Sequence, residues 1–253
     1  MEVSHIGLTV PGLQESLRLA VVADLHNRSG ERVLQVLWRD PPDAIAVVGD
    51  MIESLYRPPH HLEDTSRCER GLAFLREACG IAPVFYSLGN HEQRSSGGVH
   101  QAIAASGVQL LDNDSVLWRG IHIGGLSSAQ RRDWQRGVGF PKRVPDLEFL
   151  NRFASLSGVK VLLCHHPEYY PQYIRDTDID VVLSGHAHGG QWRFFGRGLY
   201  APGQGLFPHY TGGVYENRLV VSRGLANTAP APRLFNRKEL VYLTLTGTPE
   251  TES

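Results

Sequence analysis

Five short stretches of the chain each place aspartate, asparagine or histidine directly after an apolar run. They are Ala23-Asp24-Leu25-His26, Gly49-Asp50, Gly89-Asn90-His91-Glu92, Cys164-His165-His166-Pro167 and Gly185-His186-Ala187-His188-Gly189-Gly190. Carboxylate oxygens suit hard divalent cations, and imidazole nitrogens with an amide oxygen complete a ligand set that manganese, iron and zinc accept. The five stretches therefore indicate a metal site that is assembled from distant parts of the chain.

The last of these stretches carries the strongest signal. A short apolar run that reads as a buried strand ends in glycine, two histidines and two more glycines. His186 and His188 would share one face if the strand continued. In a loop flanked by glycine they can instead turn toward one point, and imidazole is the commonest metal ligand.

The two aspartates determine what such a site would attract. A pair of divalent ions about 3.5–4 Å apart can generate hydroxide and clamp the attacking and leaving oxygens of a displacement at phosphorus. Asp24, Asp50 and one hydroxide set against two divalent ions leave about one net positive charge, which favours an anionic phosphoester. Asn90 supplies an oxygen without cancelling more of that charge.

Buried strands that alternate with helices must position these residues. Apolar runs predict strands at 17–23, 44–48, 83–88, 109–111, 159–164, 179–184, 219–222 and 240–245, a hairpin at 116–125, and helices at 31–39, 69–79, 99–105 and 147–153. Units of strand, helix and strand bind ligands beyond the carboxyl ends of their strands. Taken singly, Asp24 and Asp50 fit a helix cap or a turn better than a ligand, so the prediction depends on the ordered set.

From Gln191 onward the sequence no longer shows the helical spacing of apolar residues, and aromatic residues and glycine dominate. We interpret this segment as short strands packed within a second sheet, the alternative being an exposed patch that touches lipid or caps the site. For residues 57–65 we predict an irregular loop whose histidines are solvated. Residues 130–136 are locally basic and predict a solvated face.

Composition predicts one ordinary globular domain over residues 1–253, with a net charge of −1 and 42% hydrophobic residues. This charge gives no sign of nucleic acid or an anionic membrane as partner. No apolar run approaches membrane-spanning length, residues 1–5 do not resemble a signal peptide, and three cysteines without CxxC spacing fit a reducing compartment. We expect a cytoplasmic protein, with peripheral membrane contact as the alternative, since a trimmed N-terminal anchor would leave the same sequence.

The five motifs, in this order, resemble those of the calcineurin-like metallophosphoesterases, and the resemblance runs from Asp24 to the final strands. Residues 185–191 and 222–227 are similar to the bacterial branch that includes the YkuE and YaeI phosphodiesterases. The resemblance implies an α/β fold in which two mixed β-sheets pack as a sandwich and are flanked by helices. It also implies a binuclear metal-dependent phosphodiesterase in which a metal-bound hydroxide attacks phosphorus.

The resemblance implies a role for each site residue as well. Asp24, His26 and His188 would hold the first metal, Asn90, His165 and His186 the second, and Asp50 would bridge them. His91 would lie near the leaving oxygen, where it donates a proton or stabilises charge. His165 is preferred as ligand over His166, which is assigned to the surroundings of the metal or to a substrate contact.

Two alternatives remain open. One is a metallophosphoesterase fold that serves as a binding module, but every ligand position is filled and His91 is present. The other is a pyrophosphatase acting on a nucleotide-linked lipid precursor, with the aromatic segment after Gln191 as its only hint. The expected partner is thus a small-molecule or lipid-linked phosphoester. Nucleic acid is disfavoured because no basic stripe with interleaved aromatic residues occurs.

Overall fold

The computed structural model describes residues 1–53, 68–95, 97–129, 144–227 and 231–248. The loop predicted at 57–65 and the basic face predicted at 130–136 lie outside the described residues. Within the described part of the chain, no helix is long and apolar enough to cross a membrane.

The first sheet has six strands, which are joined by parallel pairing except at one position. Its strands are β1 (Glu2–Thr9), β2 (Leu17–Val22), β3 (Ala44–Val47), β4 (Val84–Ser87), β5 (Gln109–Leu111) and β16 (Glu239–Thr246). Their order is β1-β16-β2-β3-β4-β5. Only β16 and β2 run antiparallel to each other, so β2, β3 and β4 end at the same edge.

The second sheet also has six strands, with a parallel centre and an antiparallel strand at each edge. They are β6 (Asp114–Trp118), β7 (Ile121–Leu126), β8 (Val159–Cys164), β9 (Val181–Ser184), β14 (Gly213–Tyr215) and β15 (Leu219–Val221), in the order β14-β15-β9-β8-β7-β6. Two small hairpins stand apart from both sheets: β10 (Arg193–Phe194) with β11 (Arg197–Gly198), and β12 (Tyr200–Ala201) with β13 (Gly205–Leu206).

The helices are short. They are α1 (Glu31–Arg39), α2 (Glu69–Cys79), α3 (Asn90–Gln93), α4 (Gly97–Ala104) and α5 (Leu147–Ala154), with single turns at Pro167–Tyr169, Tyr170–Ile174 and His188–Gly190. Helix α5 begins after Asp146, whose side chain accepts a hydrogen bond from Phe149 N at 2.9 Å and so caps the first turn.

Side-chain alternation along the strands divides the core into three layers. Leu19 and Val21 of β2 point toward the second sheet, where they pack with residues such as Val161 and Leu163 of β8. Their neighbours Ala20 and Val22 point outward, onto helices α1, α2 and α4. Leu162 and Val182 of the second sheet face α5 on the opposite side. The molecule is therefore a sandwich of two mixed sheets with helices on both outer faces, which confirms the predicted fold class.

Two features differ from the sequence-based prediction. Strand β1 was not predicted, because its half-buried residues lack a continuous apolar run; it is defined by pairing with β16 from Glu2↔Glu239 to Thr9↔Thr246. The aromatic segment does not pack as a whole within the second sheet. Phe194, Phe195 and Phe207 are exposed, on or beside the two small hairpins.

Candidate metal centre

The carboxyl ends of five parallel strands bring the predicted residues to one edge of the sandwich. Asp24 and His26 follow β2, Asp50 follows β3, Asn90 and His91 begin α3 after β4, His165 follows β8, and His186 and His188 follow β9. The turns touch one another directly, since Gly185 N donates to His165 O at 3.1 Å and Asp24 N donates to Gly49 O at 3.1 Å. Residues from distant parts of the chain thus share one buried cage: Asp24, His26, Asp50, Asn90, His165, His186 and His188.

One group within the cage consists of Asp24, His26 and His188, whose ligand atoms all lie within 4.8 Å of one another. Asp24 Oδ1 is 3.7 Å from His26 Nε2 and 3.7 Å from His188 Nε2. These separations leave room for an ion between the three atoms, because metal–ligand bonds of about 2.0–2.2 Å place ligand atoms roughly 3–4 Å apart.

A second group consists of Asp50, His165 and His186, with the same mutual spacing. Asp50 Oδ2 is 3.1 Å from His165 Nε2 and 3.8 Å from His26 Nε2, so this one oxygen reaches both groups. Asn90 is buried beside them, and its Oδ1 has no hydrogen-bond partner among the described residues. The seven predicted ligands therefore divide into two sets that share Asp50.

His91 lies at the mouth of the cage, with its side chain partly exposed. Its Nε2 is 3.8 Å from Asp50 Oδ2, and its ring packs edge to face on His26 with a centroid distance of 4.5 Å. Its backbone N donates to Asp50 Oδ1 at 2.9 Å, which ties the turn after β4 to the turn after β3. This position can reach a molecule that enters the cage from solvent.

The backbone at the cage is held in a conformation that most residues avoid. Asp24, His26, Asp50, His186 and His188 have φ values of 56, 47, 54, 63 and 47°. Non-glycine residues rarely adopt the left-handed region, and such positions cost on the order of 1–3 kcal/mol each and cluster at functional sites. Cross-turn hydrogen bonds hold them, including His26 N to Asp50 O at 3.0 Å and His186 N to Asp24 Oδ2 at 3.1 Å.

Glu92 fixes two of these turns with one buried carboxylate. Oε2 accepts from Gly89 N and Asp50 N at 2.9 Å each, and Oε1 accepts from Met51 N at 2.9 Å and Ile52 N at 3.2 Å. Charge-assisted hydrogen bonds of this kind are roughly twice as strong as neutral ones. The carboxylate therefore holds the turn that carries Asp50 against the start of α3.

Two glycines are required by the close approach of the turns. A Cβ atom on Gly89 would lie 2.2 Å from Asp50 Oδ1 and 2.5 Å from Asp50 N. A Cβ atom on Gly185 would lie 2.8 Å from Asp24 Oδ2. Any larger residue at either position would displace a carboxylate of the cage, since these distances are well inside van der Waals contact.

Charge within the cage is distributed between carboxylates and imidazoles. Burial alone would raise the pKa of Asp24 and Asp50, but neighbouring imidazoles, chiefly His188 for Asp24 and His165 for Asp50, hold both below the ordinary value. Burial likewise opposes charge on His26, yet the nearby carboxylates of Asp24, Glu53 and Asp50 raise its pKa to about 10. The carboxylates are ionised at neutral pH, whereas burial lowers the pKa of His188 to about 4 and that of His186 well below its ordinary value.

The unsatisfied atoms of the cage test whether it suits a cation. Within the described ranges, the buried atoms that lack hydrogen-bond partners include Asp24 Oδ1, His26 Nε2, Asn90 Oδ1, His165 Nε2 and His186 Nε2. Buried polar atoms in proteins are nearly always hydrogen-bonded. Oxygen and nitrogen atoms that face one volume without partners are the donor set of a borderline divalent metal, so the residues fit metal ions.

Three further residues beside the cage were not assigned from the sequence. Glu53 lies 3.6 Å from His26 Nδ1 and 3.7 Å from His91 Nδ1. Glu168 accepts from His166 Nδ1 at 3.0 Å, and Arg233 Nη2 is 3.1 Å from His188 Nδ1. Glu168 directly follows the His165-His166-Pro167 motif and could have been found, whereas Arg233 lies in a distant loop without a motif.

Residues 17–190 match the family model of the calcineurin-like phosphoesterases. The chain belongs to the calcineurin-like phosphoesterase family. The family is one of metal-dependent phosphoester hydrolases, and the matched segment contains every residue of the two ligand groups.

Several relatives of this calcineurin-like phosphoesterase carry metallophosphoesterase names. It is 28% identical over 266 positions to the metallophosphoesterase Cj0846 of Campylobacter jejuni, covering 97% of this chain and 63% of that protein. It is 28% identical to YpbG of Bacillus subtilis, covering 91% and 82% of the two chains. The metallophosphoesterase YkuE of Bacillus subtilis is 25% identical, covering 85% and 72%. The predicted similarity to the superfamily and to YkuE is confirmed, while the chain spans less than two thirds of the Campylobacter relative.

A solved structure gives independent support for the fold. TT1561 of Thermus thermophilus superposes with a TM-score of 0.50 and 15% sequence identity, covering 68% of this chain and 82% of that chain. At this identity the match supports the fold alone.

Proposed function

We propose that this chain is a phosphoester hydrolase with a binuclear metal centre. The observation that carries the proposal is the pair of buried ligand groups that share Asp50, each with ligand atoms within 4.8 Å of one another. The family match over residues 17–190 supports the same chemistry.

The proposed ligands follow the two groups. Asp24, His26 and His188 would hold one ion, Asn90, His165 and His186 the other, and Asp50 would bridge them. A mixed nitrogen and oxygen set of this kind accepts manganese, iron or zinc. Two such ions, when bound, supply positive charge that activates water and stabilises the oxygens of a reacting phosphate.

In the proposed reaction, residues of the protein attract and orient the substrate and donate a proton. Asn90 contributes a neutral oxygen, so Asp24 and Asp50 leave the centre with a net positive charge that attracts the phosphate. His91, at the mouth of the cage, would donate a proton to the leaving oxygen. Glu53, 3.7 Å from His91 Nδ1, would orient the imidazole from its other side.

A phosphodiester is the proposed substrate class. Two divalent ions, two carboxylates and one hydroxide leave about one positive charge, which matches the single negative charge of a phosphodiester. The second candidate is a pyrophosphatase for a nucleotide-linked lipid precursor. It is favoured by the exposed aromatic hairpins, which pack against the turn that carries His188, since Leu199 N donates to Gly190 O at 3.0 Å.

The test is a hydrolysis assay on protein stripped with a chelator and reloaded separately with manganese, iron or zinc. The panel contains an aryl phosphodiester, the matched monoester, a nucleoside diphosphate and a lipid linked to a nucleoside diphosphate. We expect no turnover without metal, restored turnover with at least one metal, and faster cleavage of the diester than of the monoester. Turnover that survives complete metal removal, or absence of turnover with every metal and substrate, would overturn the proposal.

A further inference from the structure

Three phenylalanines project into solvent from turns near the metal centre. Phe195 is fully exposed, and Phe207 and Phe235 expose 78% and 81% of their surface. Their φ values are 51, 53 and 53°, a left-handed conformation that bulky residues rarely adopt. Isolated exposed apolar residues are common, but three large aromatic side chains held outward on strained turns call for a functional reason.

The three turns belong to one surface. The ring of Phe194 packs edge to face on Phe235 with a centroid distance of 5.9 Å, and Arg193 N donates to Leu234 O at 3.0 Å. Phe207 N donates to Leu199 O at 2.8 Å and Leu199 N donates to Trp192 O at 2.8 Å, so the two hairpins meet at Leu199. Further exposed apolar side chains lie on the same segments. We define the aromatic ridge as Phe194, Phe195, Tyr200, Leu206, Phe207 and Phe235.

The aromatic ridge is fixed to the turn that carries His188. Arg193 Nη1 donates to Gly189 O at 3.0 Å, and Leu199 N donates to Gly190 O at 3.0 Å. The backbones of Gly190 and Gly198 are in such close contact that a Cβ atom on Gly190 would lie 2.3 Å from Gly198 Cα. The ridge therefore has a defined position relative to the metal centre.

The two segments that form the aromatic ridge are basic and contain no carboxylate. Residues 186–215 include two arginines and residues 223–238 include three arginines and a lysine, with no aspartate or glutamate in either segment. Arg197, Arg237 and Lys238 are exposed. Arg197 lies in β11 beside Phe194 and Phe195, and Arg237 and Lys238 follow Phe235 along the chain. These three exposed cations flank the aromatic ridge, and an anionic surface complements them.

We propose that the aromatic ridge docks this protein on the surface of an anionic lipid bilayer. Phenylalanine and leucine side chains on the face of a peripheral protein enter the boundary between headgroups and acyl chains, and basic residues beside them bind anionic headgroups. Separate protruding side chains fit a medium that deforms around them, whereas a rigid protein partner would need a matching pocket for each. The docking does not depend on the proposed hydrolysis, because no ligand of the metal centre takes part.

The experiment is co-sedimentation of the full chain with lipid vesicles. One set contains phosphatidylcholine alone, and the other contains about one third phosphatidylglycerol, each at low salt and at about 1 M salt. We expect binding to the anionic vesicles, at least roughly tenfold weaker binding to the neutral ones, and loss of the difference at high salt. Equal binding to both sets, or none to either, would contradict the proposal.

Two variants and one control identify the surface. The triple variant Phe195→Ser, Phe207→Ser, Phe235→Ser should bind anionic vesicles roughly tenfold or more weakly, because three apolar side chains no longer enter the interface. The triple variant Arg197→Gln, Arg237→Gln, Lys238→Gln should lose the preference for anionic lipid.

The control variant is Trp38→Ser, which removes a 58% exposed aromatic residue from α1 and should bind as the unchanged protein does. Unfolding midpoints of all variants are compared to establish that each is folded. Unchanged vesicle binding by the folded triple serine variant would overturn the proposal. So would association between copies of the chain that depends on the same phenylalanines while vesicles stay unbound, because the partner would then be protein.

Discussion

Asp50 connects the two halves of the proposed metal centre. Its Oδ2 lies 3.8 Å from His26 Nε2 and 3.1 Å from His165 Nε2, and its Oδ1 accepts from His91 N at 2.9 Å. Replacement by asparagine keeps the shape and removes the negative charge that both ions would share. We predict that Asp50→Asn binds metal more weakly and hydrolyses phosphoester at least about 10²-fold more slowly.

Metal content and turnover are measured on the same preparation of the Asp50→Asn variant. The control is Asp114→Asn, which changes an exposed aspartate in β6 and should alter neither quantity. Turnover close to that of the unchanged protein, at full metal content, would contradict the role of Asp50.

His91 differs from the proposed ligands because it lies at the mouth of the cage and is partly exposed. We predict that His91→Ala retains metal while turnover falls by roughly 10²–10⁴, the usual contribution of a positioned proton donor. The loss should shrink as the leaving group becomes more acidic, because such a group departs without a proton. Equal losses for aryl esters of high and low leaving-group pKa would argue against proton donation.

The residues that meet in the cage were predictable from sequence because each follows a buried strand and belongs to a short motif. Glu53 and Arg233 were not, since neither lies in a motif and only the folded chain brings them to His26 and His188. Glu92 belongs to one of the five motifs, but the sequence did not indicate its function. Its four backbone partners depend on how the turn after β3 meets the start of α3.

At the scale of elements, the turns after β3 and β4 must touch. Gly89 allows this contact, because a Cβ atom there would lie 2.2 Å from Asp50 Oδ1. Its φ of −82° is ordinary, so only space excludes a side chain. We predict that Gly89→Ala lowers the free energy of unfolding by about 1–3 kcal/mol and lowers activity further by displacing Asp50.

Gly97→Ala is the matched control for Gly89→Ala. Gly97 begins α4, and a Cβ atom there meets nothing within 4 Å. Alanine should be neutral or slightly stabilising at that position, because it has the higher helix propensity. The free energy of unfolding in urea and the turnover of the two variants are compared side by side. Equal values for both variants would contradict the prediction that a side chain at position 89 is too close to Asp50.

Helices and central strands were predictable because burial imposes a clear period on their sequences. The periodic segments at 31–39 and 69–79 coincide with α1 and α2. Strand β1 was not predicted because it is an edge strand whose residues are mostly half-exposed, so the alternation of apolar and polar residues along it is weak. The aromatic hairpins were misassigned because aromatic composition predicts burial only on average.

At the scale of the whole molecule, Glu239 joins the two sheets beside the metal centre. It begins β16 of the first sheet, accepts from Ser4 Oγ of β1, and accepts from Arg223 N at 3.0 Å and Arg223 Nη2 at 2.8 Å just after β15 of the second. Burial alone would raise the pKa of Glu239, but hydrogen bonds from Arg223 and Ser4 hold it below the ordinary value.

This lowered pKa makes stability depend on pH. The contribution of Glu239 is fully present above the pKa of an unfolded glutamate, about 4.3, and is lost as pH falls through the lower pKa of the folded state. We predict that Glu239→Gln destabilises the protein by about 1–3 kcal/mol at pH 7. The difference from the unchanged protein should shrink as the pH falls through the acid range.

Urea midpoints across that pH range test the prediction for Glu239. The control is Glu77→Gln, which changes an exposed glutamate of α2 and should leave the pH profile as it is. A stability difference for Glu239→Gln that stays constant down to the most acid conditions would show that the carboxylate charge makes no contribution.

Overall charge did not reveal the exposed basic residues beside the aromatic ridge. A net charge of −1 predicts no anionic partner, yet basic residues collect around the aromatic ridge in two segments that contain no carboxylate. These segments are separated along the chain by β15, and they become one surface through pairing of Trp192 with Leu234. Composition could not reveal such a surface, because its parts meet only in the fold.

The number of divalent ions that the folded chain retains is the most direct test of the metal centre. The protein is loaded with manganese, freed of unbound metal by gel filtration and analysed by elemental mass spectrometry against protein concentration. The two ligand groups that share Asp50 predict about two ions per chain, and the triple variant Asp24→Ala, Asp50→Ala, His165→Ala should retain none. A chain that retains no ion, or a triple alanine variant that retains as many as the unchanged protein, would contradict the proposed centre.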